Sequence, residues 1–272
     1  MTAPSAKPLG VPQMGILREE RIGGQRLILG DCLEVMPTLG RFDAVVTDPP
    51  YEDELHAAMG SFARLRSDGA QCPSVLAGKL RFGGVNSRRA DLGAMFCAVS
   101  DGWVIVFTLA EGVRAWRDVL QEAGAKYDTC LAWIKPDSAP RFNGQGPARG
   151  FECAVTAWAG RGHRSWNAGG KRGVYTHCVN TQRVGGHPTE KPVALMQEIL
   201  ADFTRASSVI LDPFMGIGTT LVACQRMGRS GTGIEIDPEY FDIACRRVDE
   251  AARQPDLLIA PPPAPWTQGG LL

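Results

Sequence analysis

The 272-residue sequence is short of several things, and each shortage removes a class of function. It has no net charge, with Lys plus Arg and Asp plus Glu at 29 each, so no overall field steers the chain onto nucleic acid and any such binding must come from a local patch. Its eight cysteines (Cys32, Cys72, Cys97, Cys130, Cys153, Cys178, Cys224 and Cys245) never come closer than 21 residues (245 minus 224). That spacing excludes a CxxC pair, zinc-finger ligation and a compact disulfide frame, and leaves reduced, buried thiols as the expectation. The N-terminus lacks a charged-then-apolar signal pattern, and no apolar run approaches the ~18 residues of a membrane span, so a cytoplasmic chain is expected. No internal repeat is visible.

What is present is 44% hydrophobic, enough for one sizeable α/β domain. Residues 1–20 read as a flexible leader, 21–254 as the folded domain and 255–272 as a Pro/Gly-rich tail. Strands are expected over 26–29, 43–47, 103–108, 128–134, 151–158, 208–211 and 231–236. Helices are expected over 54–66, 88–100, 112–123, 192–204, 219–227 and 238–252, the last with Tyr240, Ala244, Val248 and Ala251 on one side. The alternation argues a seven-stranded, mainly parallel sheet covered on both faces. Residues 137–186 depart from it, being rich in Gly, Arg and isolated aromatics. From Lys135 to Lys191 there are nine basic residues against three acidic ones, an excess of six. This stretch reads as a basic insertion.

Asp48-Pro49-Pro50-Tyr51 stands where the apolar run 42–47 ends. Two prolines fix φ and withdraw two N–H donors, so the segment is held as a rigid turn whose carbonyls stay free to accept. A planar amine could donate to Asp48 and to the Pro49 carbonyl while its ring stacks on Tyr51. Alone, such a tetrapeptide reads more readily as a stiff connector with a packed tyrosine.

The run from Val209 through Asp212, Pro213, Phe214, Gly216 and Gly218 to Thr219 and Thr220 is a strand, a glycine turn and a helix start. Glycines let a ligand approach the backbone, and the N–H groups opening the helix favour a carboxylate or phosphate. No Lys-Ser or Lys-Thr follows and G-x-G is not completed as G-x-G-x-x-G, so nucleoside triphosphate and simple dinucleotide readings lose support. About twenty residues on, Glu235 and Asp237 stand at the end of a second strand, where a carboxylate accepts the two hydroxyls of a ribose. A ligand joining an amino acid to adenosine satisfies both ends, which describes S-adenosylmethionine.

These two motifs, with Gly30-Asp31-Cys32 before the first and His187-Pro188-Thr189-Glu190-Lys191-Pro192 before the second, closely resemble the DNA amino-methyltransferases that methylate adenine N6 or cytosine N4. The tetrapeptide precedes the glycine turn by 161 residues (212 minus 51), with the basic segment between, as in the permuted β class. The resemblance covers 27–248 and implies a Rossmann-like, S-adenosylmethionine-dependent methyltransferase fold with no metal. It implies that Asp48, Pro49, Pro50 and Tyr51 are catalytic, that Asp212, Pro213, Phe214, Gly216, Gly218, Thr219 and Thr220 form the methionine and adenine pocket, and that Glu235, with Asp237 beside it, holds the ribose. Asp31, with Cys32, is implied to take the cofactor's adenine amine, and Thr189 and Lys191 its methionine end; Lys191 also reads as a surface lysine at a helix start. Trp133-Ile134-Lys135 matches another recurrent feature of the group.

The implied substrate is duplex DNA with the target base turned out, at an unstacking cost of a few kcal/mol that stacking on Tyr51, worth about 1–3 kcal/mol, offsets in part. The absence of a Pro-Cys dipeptide agrees with amine rather than carbon methylation. Lys135, Arg141, Arg149, Arg164, Lys171 and Arg172 are the expected DNA contacts. A homodimer and a partner restriction nuclease are compatible with this reading, and the acidic Glu52-Asp53-Glu54 beside the tetrapeptide makes a second subunit useful for gripping DNA. Asp as first residue of the tetrapeptide leans toward adenine N6; cytosine N4 is the nearest alternative. A catalytically idle DNA binder and a nicotinamide oxidoreductase are more distant readings, and RNA or protein-amide methyltransferases place the cofactor loop first.

Overall fold

The computed structural model describes residues 15–50, 85–141, 144–179 and 190–254. Nine strands form one sheet: β1 (Ile16–Ile22), β2 (Gln25–Gly30), β3 (Phe42–Thr47), β4 (Ser100–Thr108), β5 (Lys126–Ile134), β6 (Phe151–Trp158), β7 (Val174–Thr176), β8 (Val209–Asp212) and β9 (Ser230–Glu235). The helices are α1 (Cys32–Val35), α2 (Arg89–Val99), α3 (Val113–Glu122), α4 (Val193–Phe203), α5 (Thr219–Arg226) and α6 (Pro238–Arg253). The α/β class and the mainly parallel sheet are as the alternation implied. The tail 255–272, the helix expected over 54–66, and residues Tyr51, Asn143, Arg183, His187 and Thr189 lie outside the described residues.

Strand order is β1-β2-β9-β8-β3-β4-β6-β5-β7. The last two strands of the chain are thus inserted between β2 and β3, and β2, β9, β8, β3 and β4 all run parallel. Ligands of open α/β sheets bind outside the carboxyl ends of such strands, where the winding reverses. β6 is antiparallel to both β4 and β5, so its first residues reach the same edge at which β4 and β5 end.

The core lies on both faces. On one, Phe96 and Val99 of α2 and Trp116 and Leu120 of α3 pack on Val45, Val104 and Val155. On the other, α4 contributes Leu195, Met196, Ile199, Leu200 and Phe203 against Val46, Ile105 and Ile210. α6 closes the β2 end with Phe241, Ala244, Val248 and Ala251 over Leu27 and Leu29. Phe241, rather than the half-buried Tyr240, starts that apolar face.

All seven expected strands are present within a residue or a few at each end; β1 and β7 are additional. β1 corrects the leader boundary, because residues from Ile16 pair with β2. Its sequence, Ile-Leu-Arg-Glu-Glu-Arg-Ile, is half charged, and as an outer strand it needs only one good neighbour and benefits from charges that discourage further pairing. β7, three residues pairing with β5, is too short to carry a periodic signal. The basic stretch 137–186 therefore contains two members of the main sheet, β6 and β7.

Candidate active site

The ends of β2, β3, β8 and β9 bring Asp31, Asp48, the glycine turn and Glu235 to one edge. Thr47, the last residue of β3, is buried and its hydroxyl donates to Asp212 Oδ1 at 2.9 Å, tying together strand ends 165 residues apart. Thr220 donates to Asp212 Oδ2 at 2.5 Å and the Phe214 N–H to Oδ1 at 3.1 Å. All three donors to Asp212 come from the chain itself, so this carboxylate holds the turn in shape. Burial pushes it up to about 6.

Asp48 follows β3, with Pro49 buried and Pro50 half-buried behind it. Its side chain is 25% exposed, and its two oxygens differ. Oδ2 accepts from Lys191 Nζ at 2.5 Å; Oδ1 is enclosed and accepts no hydrogen bond among the described residues. An enclosed acceptor left unfilled costs about 1–3 kcal/mol, so its persistence points to a donor that arrives with a ligand. Burial pushes the Asp48 carboxyl above the ordinary carboxylate range, against the pull of the Lys191 ammonium.

Lys191, implied to contact the cofactor's methionine end, has its ammonium beneath Asp48. Its side chain is 5% exposed, and its ammonium also lies 3.1 Å from Glu152 Oε2. Glu152 Oε1 accepts from Lys135, whose ammonium sits 4.4 Å from the centre of the Trp133 ring. Lys135, expected to meet DNA, is therefore the outer member of a partly buried series of alternating charge: Lys135, Glu152, Lys191, Asp48. Phe107 and Trp133 wall the Lys191 ammonium at 5.3 and 5.9 Å. Burial alone would raise Glu152, but the two ammoniums outweigh it and hold the carboxyl down at about 2.

The glycine turn gives room on the other side of Asp48. Gly216 has φ +53°, and a Cβ there would meet no atom within 4 Å among the described residues. Gly218 has φ +81° and caps α5, while a Cβ there would lie 3.0 Å from the Ala244 methyl. A side chain at Gly216 would thus meet none of the described residues, and Gly218 permits close packing on α6. Phe214, half-buried, sets its ring edge-on to Phe96 at 6.5 Å; Pro213 is buried.

Glu235 ends β9 with Oε2 accepting from Gly216 N at 3.0 Å and Oε1 from Ile236 N at 3.0 Å and Asp237 N at 2.8 Å. Burial dominates these neutral donors and pushes its carboxyl up to about 7. Asp237 caps α6 by accepting from Glu239 N at 2.8 Å. Asp31 caps α1 through Leu33 N at 2.9 Å and holds Arg88 at 2.8 and 2.9 Å. Burial raises Asp31, but Arg88 and Leu33 N–H prevail and leave it below the ordinary range, so a ligand amine there would have to share the carboxylate with Arg88. Cys32 is buried in the core near Val35 and Met36, its thiol pushed up to about 12 by burial.

Segment 190–191 is pinned from both sides. Glu190 Oε1 accepts from Arg247 Nη2 at 2.5 Å, and Arg247 Nη1 donates to Ile217 O at 2.7 Å and Thr219 Oγ1 at 3.3 Å. Arg247 of α6 thereby joins the Lys191 segment to the glycine turn.

The expected DNA contacts divide. Arg149 pairs with Glu111 at 2.9 Å, Arg164 pairs with Asp128, and Lys171 pairs with Glu198 at 2.7 Å and with Asp202. Arg141 and Arg172 are exposed and form no ion pair among the described residues. Sequence reasoning missed Glu152, Arg88, Thr47 and Arg247. Glu152 had a legible signal: it is the only charge in the otherwise apolar strand Phe-Glu-Cys-Ala-Val-Thr-Ala-Trp, a place where a carboxylate must find a partner.

This edge, with an enclosed acceptor beside a glycine turn and a strand-end carboxylate, agrees with the comparisons. The chain belongs to the N6/N4 DNA methylase family, whose match spans residues 42–246. Type II methyltransferase M.Cfr9I of Citrobacter freundii is 27% identical over 284 residues, covering 90% of this chain and 94% of that protein. Type II methyltransferase M2.LlaDCHI of Lactococcus lactis subsp. cremoris is 43% identical over 149 residues, 49% of this chain and 55% of its own length. Among solved structures, the M1.HpyAVI–SAM complex shares the fold with a TM-score of 0.66 at 23% identity, covering 83% of this chain and 99% of that one. The cytosine-N4-specific PvuII DNA methyltransferase does so with a TM-score of 0.60 at 16% identity, covering 83% and 86%. No helix among the described residues is long and apolar enough to cross a membrane.

Proposed function

We propose that this chain transfers a methyl group from S-adenosylmethionine to the exocyclic N6 of an adenine turned out of duplex DNA. The observation that carries the reading is Asp48 Oδ1, an enclosed acceptor with no partner among the described residues, next to a turn where a Cβ at Gly216 would meet none of them either. The residues fit the cofactor: Glu235 would take the ribose hydroxyls, the Gly216 backbone the close approach, and the N-terminal end of α5 the amino-acid carboxylate. When bound, S-adenosylmethionine supplies an electrophilic methyl group.

Asp48 does the work on the amine. An exocyclic base nitrogen is a poor nucleophile because its lone pair is delocalised into the ring. Hydrogen bonds from it to Asp48 Oδ1 and the Pro49 carbonyl favour a more pyramidal nitrogen, and Asp48 Oδ1 receives the proton that the nitrogen sheds as its new bond to carbon forms. Tyr51 supplies a face for the base to stack on. Arg141 and Arg172 are suited to phosphate contacts, worth most at low salt.

Asp at the head of the tetrapeptide supports adenine. Cytosine N4 is the second reading, supported by the shared fold of a cytosine-N4-specific enzyme. Nucleoside mass spectrometry of unmethylated duplex DNA after incubation with the protein and S-adenosylmethionine tests both. N6-methyladenine is expected, with a loss of about 10²–10⁴-fold in Asp48→Ala. N4-methylcytosine would transfer the reading to cytosine, and no methylated base would sink it.

A further inference from the structure

We propose that Lys191 and Glu152 are positioning residues for Asp48: Lys191 anchors Oδ2, and Glu152 shares the Lys191 ammonium so that Oδ1 remains a basic acceptor for the substrate amine. The inference rests on the function proposed above and goes beyond it by assigning to these two residues the orientation and charge state of Asp48.

The geometry carries it. Lys191 Nζ lies 2.5 Å from Asp48 Oδ2 and 3.1 Å from Glu152 Oε2, and Glu152 Oε1 is taken by Lys135. One oxygen of Asp48 is thereby fixed while the other points at nothing the described chain supplies. Without a cation, a carboxylate so enclosed would tend to protonate and become a donor where an acceptor is needed. With an ammonium wholly its own, it would stay ionised but hold little attraction for an amine proton. Dividing the ammonium between two carboxylates sets a middle course, and the second ammonium, Lys135, balances Glu152 so that the four charges sum to zero.

The groups facing Asp48 among the described residues come from four places: Lys191 ahead of α4, Glu152 on β6, Lys135 after β5 and Asp212 at the end of β8. Asp212 adds repulsion, and its three hydrogen bonds hold it in place. The anchor is also mechanically joined to the cofactor turn, since Glu190 next to Lys191 is bound by Arg247, which bonds Ile217 O. A displacement of the Lys191 segment would disturb both halves of the site together.

The two roles give opposite signs. Removing the Lys191 charge in Lys191→Met leaves Asp48 with the repulsion of Glu152 and Asp212, so its titration moves upward in pH. Removing the Glu152 charge in Glu152→Gln takes away a repulsion on Asp48 and leaves the Lys191 ammonium more fully to Asp48, so the titration moves downward. The Asp48 side-chain carboxyl is followed by carbon-13 NMR in aspartate-labelled protein without DNA, with Asp48→Asn for assignment, and the acidic limb of the kcat profile is measured alongside.

Opposite shifts of the carboxyl titration are expected, mirrored in the acidic limb, with kcat in Lys191→Met falling on the order of 10²-fold and the native titration restored by Lys191→Arg. Shifts in the same direction, or none, would overturn the proposal, because a merely structural role lowers kcat without moving the titration in opposite senses. Should Lys191→Met not fold, the near-isosteric Glu152→Gln decides by its sign alone. If the native protein methylates no amine in DNA, the proposed function fails, while the NMR titration still decides whether Lys191 and Glu152 set the state of Asp48.

Discussion

Glu235 and Glu152 stand on either side of Asp48 and are buried alike, at 8% and 6% exposure, yet the fold puts them in opposite states. Glu235 is answered by three neutral backbone N–H groups and is pushed up to about 7. Glu152 is answered by two ammoniums and is held down at about 2. Amide dipoles fix the direction of a carboxylate without replacing the hydration lost on burial, whereas an opposite full charge in a weakly screened site does. Glu235 therefore titrates near neutrality, whereas Glu152 stays ionised. Asp212, answered by two hydroxyls and one N–H, sides with Glu235.

The largest effect that separates the halves should come from Glu235→Gln. Losing a charged acceptor for the ribose hydroxyls is worth about 1.5–3 kcal/mol, so S-adenosylmethionine affinity should fall about 10–100-fold by calorimetry. Because Glu235 is ionised above about 7, native affinity should climb as pH rises through that value and the variant should lose the climb. A native profile flat across neutrality breaks the contrast.

Stability against pH sharpens it. Glu152 is depressed from 4.5 to about 2, so its contribution is present above 4.5 and lost as pH falls toward 2. Glu235 is raised from 4.5 to about 7, so its contribution is present below 4.5 and lost as pH rises through 7. Urea midpoints should show Glu152→Gln flattening the limb below 4.5 and Glu235→Gln flattening the limb between 4.5 and 7, with amplitudes of a few kcal/mol.

The two glycines separate ligand room from packing. Gly218→Ala meets both a positive φ and the Ala244 methyl, and should cost about 1–2 kcal/mol or somewhat more in thermal melts. Gly216→Ala carries the φ strain without the clash, so it should melt higher than Gly218→Ala yet bind S-adenosylmethionine more weakly than the native protein. The smallest effect is on the basic face: Arg172→Ala should reduce the salt slope of DNA binding by about 1, and Arg164→Ala, already paired with Asp128, by less.

Much of the fold was legible because strands buried on both faces read as apolar runs, as β3, β4 and β6 do. β1 and β7 were not, one being charged and at an edge, the other three residues long. In the site, Asp48, the glycine turn and Glu235 fell at strand ends, where proline, glycine and acidic residues interrupt the apolar pattern. Lys191 and Lys135 were named for other tasks. Their partners lie 143 and 17 residues away across the sheet, and a lysine beside a helix start or a strand end has the same local sequence whether its ammonium meets solvent, phosphate or a buried carboxylate.

By itself the sequence determined the alternation of strand and helix, the rigid Asp48-Pro49-Pro50 exit from β3, the glycine turn and the strand-end Glu235, because each follows from local backbone chemistry and the period of burial. The tertiary structure alone decided which oxygen of Asp48 is free, which lysine anchors the other, and that Glu152 shares that lysine. Those outcomes depend on sheet order: β8 and β9 enter between β2 and β3, and the reversed β6 brings its first residues to the parallel strands' carboxyl edge. Charge state in a buried site is set by distance across strands, which the linear order of residues does not contain.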